Sequence, residues 1–284
     1  MPQNVRIAIV GAGSFATSLA LALRDAGYVI TAIVSKDAPG SRRRAHALAT
    51  KVGARAVTTG DAILQATLLW FCVPDREIHA VASSLARAKN GKIRYAFHSS
   101  GALPSVELAP LRRLGIAIAS VHPLMTFVPG SRPSLAGVPF ALEGDGTATR
   151  LARRIVRALG GKSFALPASR KAAYHAWATF TSPLLLAFLI TLEEAAKRAG
   201  LSREAARRKS LPIIRQTLEN YSRLGPDHSF SGPIIRGDVA TVAKHLAALG
   251  KKPEVRDVYV ALARSAIRRL PVRNKEELRR LVED

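Results

Sequence analysis

The sequence predicts an α/β protein in which a doubly wound, mostly parallel sheet is followed by an all-helical region. Three observations carry that expectation. A β-branched run near the N-terminus ends in a glycine turn and opens into a helical pattern. Short apolar runs then alternate with helix-length segments as far as Leu166. From Ser169 the texture changes to long helical stretches.

Val5 to Val10 is the first strand; Gly11-Ala12-Gly13-Ser14-Phe15-Ala16 turns the chain into a helix over Thr17 to Ala26. Val29 to Val34 is a second buried strand. Leu68 to Val73, Arg94 to His98, Ile116 to Val121 and Val138 to Glu143 extend the series. After a helix at Thr147 to Leu159, Lys162 to Leu166 closes it. Near-continuous apolar strands are what a sheet covered by helices on both faces requires. Ser169 to Ala199 is one long helical stretch with a kink expected at Pro183, whose ring removes a hydrogen bond and clashes with the preceding turn. Shorter helices follow, separated by Gly200, Gly225-Pro226, Gly232-Pro233, Gly250 and Pro271. The expected domains are 1–166 and 167–284.

With 48% hydrophobic and 22% charged residues the chain has the composition of a globular protein, not a disordered or collagen-like one. Cys72 is the single cysteine, so no intramolecular disulfide forms and a reducing cytoplasm is the expected location. The first residues carry no signal-type pattern, and the longest apolar run, Pro183 to Ile190, falls short of the about 20 residues that span a bilayer. Neither secretion nor membrane insertion is expected. The net charge of +23 raises the question of nucleic acid. The basic residues are spread over both halves, however, aromatics are only 6%, and the tightest cluster is Arg42-Arg43-Arg44, which favours a solvated basic surface over a nucleic-acid site.

Gly11-x-Gly13-x-x-Ala16 matches the dinucleotide fingerprint, in the context that gives it meaning. The first glycine allows the tight turn, the second lets backbone approach a pyrophosphate, and the small third residue lets helix and strand pack closely. N–H groups at the helix start, those of Ser14 and Phe15 among them, hold the phosphates. After the second strand come Ser35 and Lys36 where an acid would select NAD(H), and Arg42, Arg43 and Arg44 open the next helix. NADP(H) is therefore favoured, with a solvated helix start as the alternative for the arginines.

Val73 and Pro74, at the end of their strand, are expected to line the cofactor; Asp75 either caps the next helix or serves the site. His98-Ser99-Ser100-Gly101 and His122-Pro123-Leu124-Met125-Thr126-Phe127 deliver polar groups to the same sheet edge. No third spaced ligand accompanies the two histidines, so no metal is expected. Lys171 and His175, four apart, share a helix face and suit polarisation and proton exchange; a surface lysine with an interior histidine is the alternative.

Together these segments, with Lys171 and Tyr174-His175-Ala176 and with Gly232-Pro233-Ile234-Ile235-Arg236-Gly237-Asp238, resemble Rossmann-like proteins carrying a C-terminal domain of unknown function 2520. That group lies in the superfamily of 6-phosphogluconate dehydrogenase, ketopantoate reductase and pyrroline-5-carboxylate reductase. The resemblance implies an NADP-dependent oxidoreductase acting on a small, anionic keto or imine substrate. It implies Lys171 as the acid/base or polarising group, His175 in the place of an amide, and Ser100-Gly101 as a substrate-contacting element. His98 and His122 at the sheet edge are further candidate substrate contacts, and Arg236 would hold a substrate carboxylate or else pair with Asp238. A homodimer through the helical domain is expected, and some members of the superfamily pair a deazaflavin coenzyme with NADP. The competing class is a dinucleotide-binding protein without turnover, which needs Gly11 and Gly13 but neither Lys171 nor His175.

Overall fold

The computed structural model describes residues 5–60, 64–88, 92–250 and 253–283. They form two compact units, Met1–Thr179 and Phe180–Asp284. In the first, β1 (Arg6–Val10), α1 (Ser14–Asp25), β2 (Val29–Ser35), α2 (Pro39–Val52), β3 (Arg55–Thr58), β4 (Leu68–Phe71), α3 (Ile78–Arg87) and β5 (Tyr95–His98) alternate as expected. They are followed by α4 (Ala109–Arg112), β6 (Ala117–Pro123), β7 (Pro139–Gly144), α5 (Gly146–Ala158), β8 (Lys162–Ala165) and the start of α6 (Lys171–Thr181). The sheet order is β3-β2-β1-β4-β5-β6-β7-β8. Every pairing is parallel except β6 with β7, so the doubly wound, mostly parallel sheet is as predicted.

The period-2 alternation of β1 divides the core. Ile7 and Ile9 pack on one side with Leu19 and Leu23 of α1, Ile33, Phe140, and Leu151 and Ile155 of α5. Ala8 and Val10 face the other side with Leu69, Phe71, Ile78 and Leu85 of α3, and Leu111. β3 went unread in the sequence: it is a four-residue edge strand, half exposed, without the continuous apolar run that marks its neighbours.

The sequence places the domain change near Pro167, where strand gives way to helix. Compactness groups 168–179 with the sheet instead, because Lys171 and Tyr174 at the start of α6 are buried. The expected kink at Pro183 is a full break: Ser182 adopts φ −136° and ψ −72°, and Pro183 becomes the first residue of the next helix, α7 (Pro183–Arg198). Taken together, Ala168–Arg198 is longer than the sequence run suggested, with 31 residues and an 18-residue window of mean hydropathy 1.4, enough by length and composition to cross a membrane. The break makes it two helices of 11 and 16 residues, each below the about 20 that a crossing requires, and Lys171 is buried at the start of the first.

The second unit continues with α8 (Arg203–Ser229), α9 (Pro233–Arg236), α10 (Val239–Leu249), α11 (Pro253–Arg269) and α12 (Lys275–Glu283). Its core joins Val242 and Leu246 to Val260, Ile267, Leu278 and Val282. Gly225, at φ 73° and ψ 177°, interrupts α8 where the Gly-Pro loop is expected. The Glu193 carboxylate accepts from Arg207 at 2.7 Å and ties α7 to α8.

Candidate functional site

The turn between β1 and α1 is built as its glycines require. Gly11 has φ +111°, and a Cβ there would lie 2.4 Å from the Cys72 carbonyl oxygen, so no other residue fits. At Gly13, the N-cap of α1, a Cβ would meet nothing within 4 Å. The turn therefore leaves backbone open to a ligand, and the first turn of α1 carries no acidic residue to oppose an anion. Ala16 is fully buried, as close packing of helix on strand demands, and Phe15 packs against Phe127 with ring centroids 4.9 Å apart and the rings tilted by 57°.

A cavity of about 410 Å³ opens at the carboxyl ends of β1, β2 and β4, lined by Gly11, Gly13, Ser35, Lys36, Val73 and Pro74. Ser41, Arg44, Thr59, Arg76 and Glu77 also line it. The three arginines that open α2 differ in their surroundings. Arg42 pairs with Asp37 at 3.0 Å, Arg43 lines neither neighbouring cavity, and Arg44 lines both this one and a second of about 660 Å³ that includes Ser14, Lys51 and Arg132. Consecutive helix residues project about 100° apart, so the three adjacent arginines leave α2 in different directions. Lys36 sits at the pocket mouth, 2.8 Å from the Glu77 carboxylate. Arg76 escaped the sequence reading because it follows a strand-end loop with no motif of its own. Burial pushes the Cys72 thiol up, so it stays protonated beside the turn.

The second cluster lies at the ends of β5 and β6. Ser120 and His122 alternate with Val121 on β6 and so project from the same face; Lys171 and Tyr174, three apart on α6, descend on them. The Lys171 ammonium donates to the Ser100 carbonyl at 2.8 Å and to the Ser120 hydroxyl. The Ser120 hydroxyl in turn donates to the same carbonyl at 3.2 Å. Lys171 is 1% exposed. Burial lowers its pKa to about 8, against the opposing pull of Glu143 and Asp75. It shares a helix face with His175, but His175 is exposed at the surface while Lys171 lies beneath the Ser100 loop.

Ser100 is the hub of that loop. Its hydroxyl donates to Asp75 at 2.7 Å and accepts the N–H groups of Ala102 and Leu103. The Ser100 proton is thus committed to Asp75, and Asp75 makes no side-chain cap on the short helical turn that follows Pro74. Because Pro74 lines the dinucleotide-type cavity, Asp75 links that cavity to the polar cluster. His98, expected at the substrate, is completely buried under the loop. The Ser100 N–H donates to its Nδ1 at 3.1 Å, which leaves Nε2 protonated and donating to the Pro104 carbonyl at 3.0 Å. Burial, reinforced by the Lys171 charge, lowers the His98 pKa to about 3. Both of its nitrogens serve the loop.

His122 lies 2.8 Å from the Tyr174 hydroxyl through Nδ1, and its ring stands 6.2 Å from that of His175. Gly101 permits this arrangement, since a Cβ there would lie 2.5 Å from His175 Cδ2 and 2.8 Å from His122 Nε2. Among the described residues no three His, Cys, Asp or Glu side chains gather as a metal cage would need. Arg236 belongs to the helical unit, exposed at the end of α9. The carboxylate of its neighbour Asp238 accepts from the Thr241 hydroxyl and N–H, which caps α10.

Fold and site define a dinucleotide-type α/β module followed by a helical module. Residues 1–123 match the model of a Rossmann-like domain, and residues 138–266 match that of a domain of unknown function (DUF2520). The chain thus joins a Rossmann-like domain to a DUF2520 domain, as its motifs suggested. It is similar over 93% of its length to 98% of a Bacteroides fragilis protein assigned as an NADP oxidoreductase, with 23% identity and a TM-score of 0.76. Similarity to protein TM1727 of Thermotoga maritima covers 98% of both chains at 24% identity and a TM-score of 0.72. An imine reductase of Myxococcus stipitatus in complex with NADP+ follows at 15% identity and 0.67, over 93% of this chain and 94% of that one. At these identities the likeness establishes the fold. No curated protein sequence is similar to this chain.

Proposed function

We propose that the protein is an NADP-dependent oxidoreductase that transfers a hydride between NADPH and a small, anionic keto or imine substrate. The observation that carries this reading is the Pro74-Asp75 link, which joins the cavity at the Gly11 turn to the Lys171–Ser100–Ser120 cluster along one sheet edge. A nicotinamide dinucleotide would lie over Gly11 and Gly13 with its phosphates at the start of α1, and Lys36, Arg44 and Arg76 would meet a 2′-phosphate. When bound, it supplies the hydride.

The chain's own residues prepare the acceptor. Lys171 contributes positive charge and holds the Ser100–Gly101 loop in place. His175, exposed beside Gly101, exchanges the proton that accompanies hydride transfer to a carbonyl or imine. Ser100 acts through its bonds to Asp75 and Lys171. The relatives' names, an NADP oxidoreductase and an imine reductase holding NADP+, support the cofactor and the reaction class. Exposed Leu186, Ile190, Ile213 and Leu224 on α7 and α8 favour a second copy of this chain as partner, rather than nucleic acid or membrane. The lone Cys72 suits the cytoplasm.

Calorimetric titration with NADPH and then NADH, followed by NADPH oxidation assays over carbonyl compounds and imines, tests this reading. Tight NADPH binding with turnover that falls in Lys171→Met supports it. NADPH binding with no turnover leaves a dinucleotide-binding protein, and no binding to either nucleotide overturns both. A mass measurement giving only monomer at micromolar concentration would remove the dimer.

A further inference from the structure

The mechanism above leaves His122 and Tyr174 without separate duties, although Tyr174 is 7% exposed and has its hydroxyl on the imidazole. Its ring is held by three aromatic neighbours: edge-to-face with His122 at 5.5 Å, against Phe164 at 6.0 Å and against Trp177 at 5.8 Å. This packing fixes the phenol oxygen at Nδ1 of His122, 2.8 Å away. A phenol beside a neutral imidazole nitrogen donates to it, and a neutral imidazole that accepts at one nitrogen carries its proton on the other. The proton of His122 then sits on Nε2, the atom that a Cβ on Gly101 would approach to 2.8 Å. Lys171, which the sequence made the leading acid, is sealed beneath Ser100 and Ser120. The imidazoles of His122 and His175 both lie beside Gly101.

We infer that Tyr174 is a positioning residue that holds His122 in its Nε2–H tautomer, making His122 a neutral hydrogen-bond donor to the substrate's carbonyl oxygen or imine nitrogen, with His175 supplying the proton. The inference rests on the oxidoreductase reading for its substrate and on the hydrogen-bond geometry for its tautomer. In the reduction of a carbonyl, hydride adds to the carbon and the C=O electron pair moves to oxygen. The His122 Nε2–H bond stabilises that oxygen without breaking, and protonated His175 gives up its proton to form the alcohol and is recharged from solvent. For an imine the same count yields the amine. His122 cannot serve as the acid, because a neutral imidazole would leave as an imidazolate.

The charge state agrees with this division of labour. Burial lowers the His122 pKa to about 4, aided by the charges of Lys171 and His175, while burial raises that of Tyr174 to about 12. The titratable groups that bear on His122 are Tyr174, His175 and Lys171 of α6 and His98 of β5. The first stays protonated and the last stays neutral through the working range.

The test is nitrogen-15 NMR of the histidine side chains in the full chain, with His122 assigned through His122→Gln, in the native sequence and in Tyr174→Phe, each over pH 5 to 8. Expected is an Nε2–H pattern for His122 that holds down to about pH 5. Tyr174→Phe should show mixed tautomers, while the burial and the Lys171 charge that lower the His122 pKa stay in place. An Nδ1–H pattern in the native chain, or an unchanged pattern in Tyr174→Phe, overturns the inference. These readouts need no turnover, so they are independent of the oxidoreductase reading. Where turnover is found, Tyr174→Phe should lower kcat about tenfold or more with NADPH affinity unchanged, whereas equal kcat would refute the catalytic part. Should Tyr174→Phe fail to fold, Gly101→Ala serves instead. Its Cβ must push the two imidazoles apart, and turnover equal to the native chain's refutes their joint role.

Discussion

Substituting His98 by glutamine tests the buried histidine through the pH dependence of stability. In the folded chain His98 accepts from the Ser100 N–H, donates to the Pro104 carbonyl, and has its pKa lowered to about 3. In the unfolded chain it returns to about 6.5. A base whose folded pKa is depressed contributes stability that is fully present above the unfolded value and is lost as pH falls toward the folded one, because the unfolded state takes up the proton first. Between pH 7 and pH 5 this one side chain costs the folded state about 2 kcal/mol, from 1.36 kcal/mol per pH unit once the unfolded group has titrated. For a unit of this size that corresponds to a fall of about 4 to 8 °C in Tm. The assay is thermal unfolding by circular dichroism at pH 7, 6 and 5. Glutamine keeps a donor toward Pro104 but does not titrate, so His98→Gln should start less stable and lose about half the slope, His122 supplying the remainder in the same direction. An unchanged slope in the variant would refute the claim that His98 is held neutral by the loop.

Gly11→Ala places a Cβ 2.4 Å from the Cys72 carbonyl at a φ of +111°, a strain on the order of 1–3 kcal/mol before any clash. It should abolish NADPH binding in calorimetry and lower Tm; retained affinity would count against the turn as the cofactor site. Arg44→Ala should weaken NADPH binding about tenfold or more and leave NADH nearly unchanged, since a charge-assisted bond to the 2′-phosphate contributes about 1.5–3 kcal/mol. Arg43→Ala should leave both nucleotides alone, and the reverse pattern would restore the assignment made from sequence. Ser120→Ala removes one of the two acceptors of the Lys171 ammonium and should shift any pH–rate profile governed by Lys171, with NADPH affinity untouched.

Glycines and strand ends were the legible part of the site, because their chemistry is local. Gly11 needs a positive φ that its neighbours in the chain dictate, and strands that end in a parallel sheet must deliver Val73, Ser100 and His122 to one edge. Period-2 and helical spacing also put Ser120 with His122 and Lys171 with Tyr174 and His175. Depth was not legible. Nothing in the spacing of Lys171 and His175 says that one lies 1% exposed beneath a loop while the other stands at the surface.

By itself the sequence determined the alternation of strands and helices, the phosphate-type turn, the change to helices after residue 166 and the set of polar residues at the sheet edge. These follow from hydrophobic periodicity and from backbone restrictions on glycine and proline, which act over a few residues. Only the tertiary structure decided which arginine faces the pocket, that His98 and Ser100 spend their polar atoms on their own loop, and that Tyr174 reaches His122 across 52 residues. Hydrogen-bond partners distant in sequence are chosen by packing, and packing is settled only when the helix beginning at Lys171 comes down on the sheet.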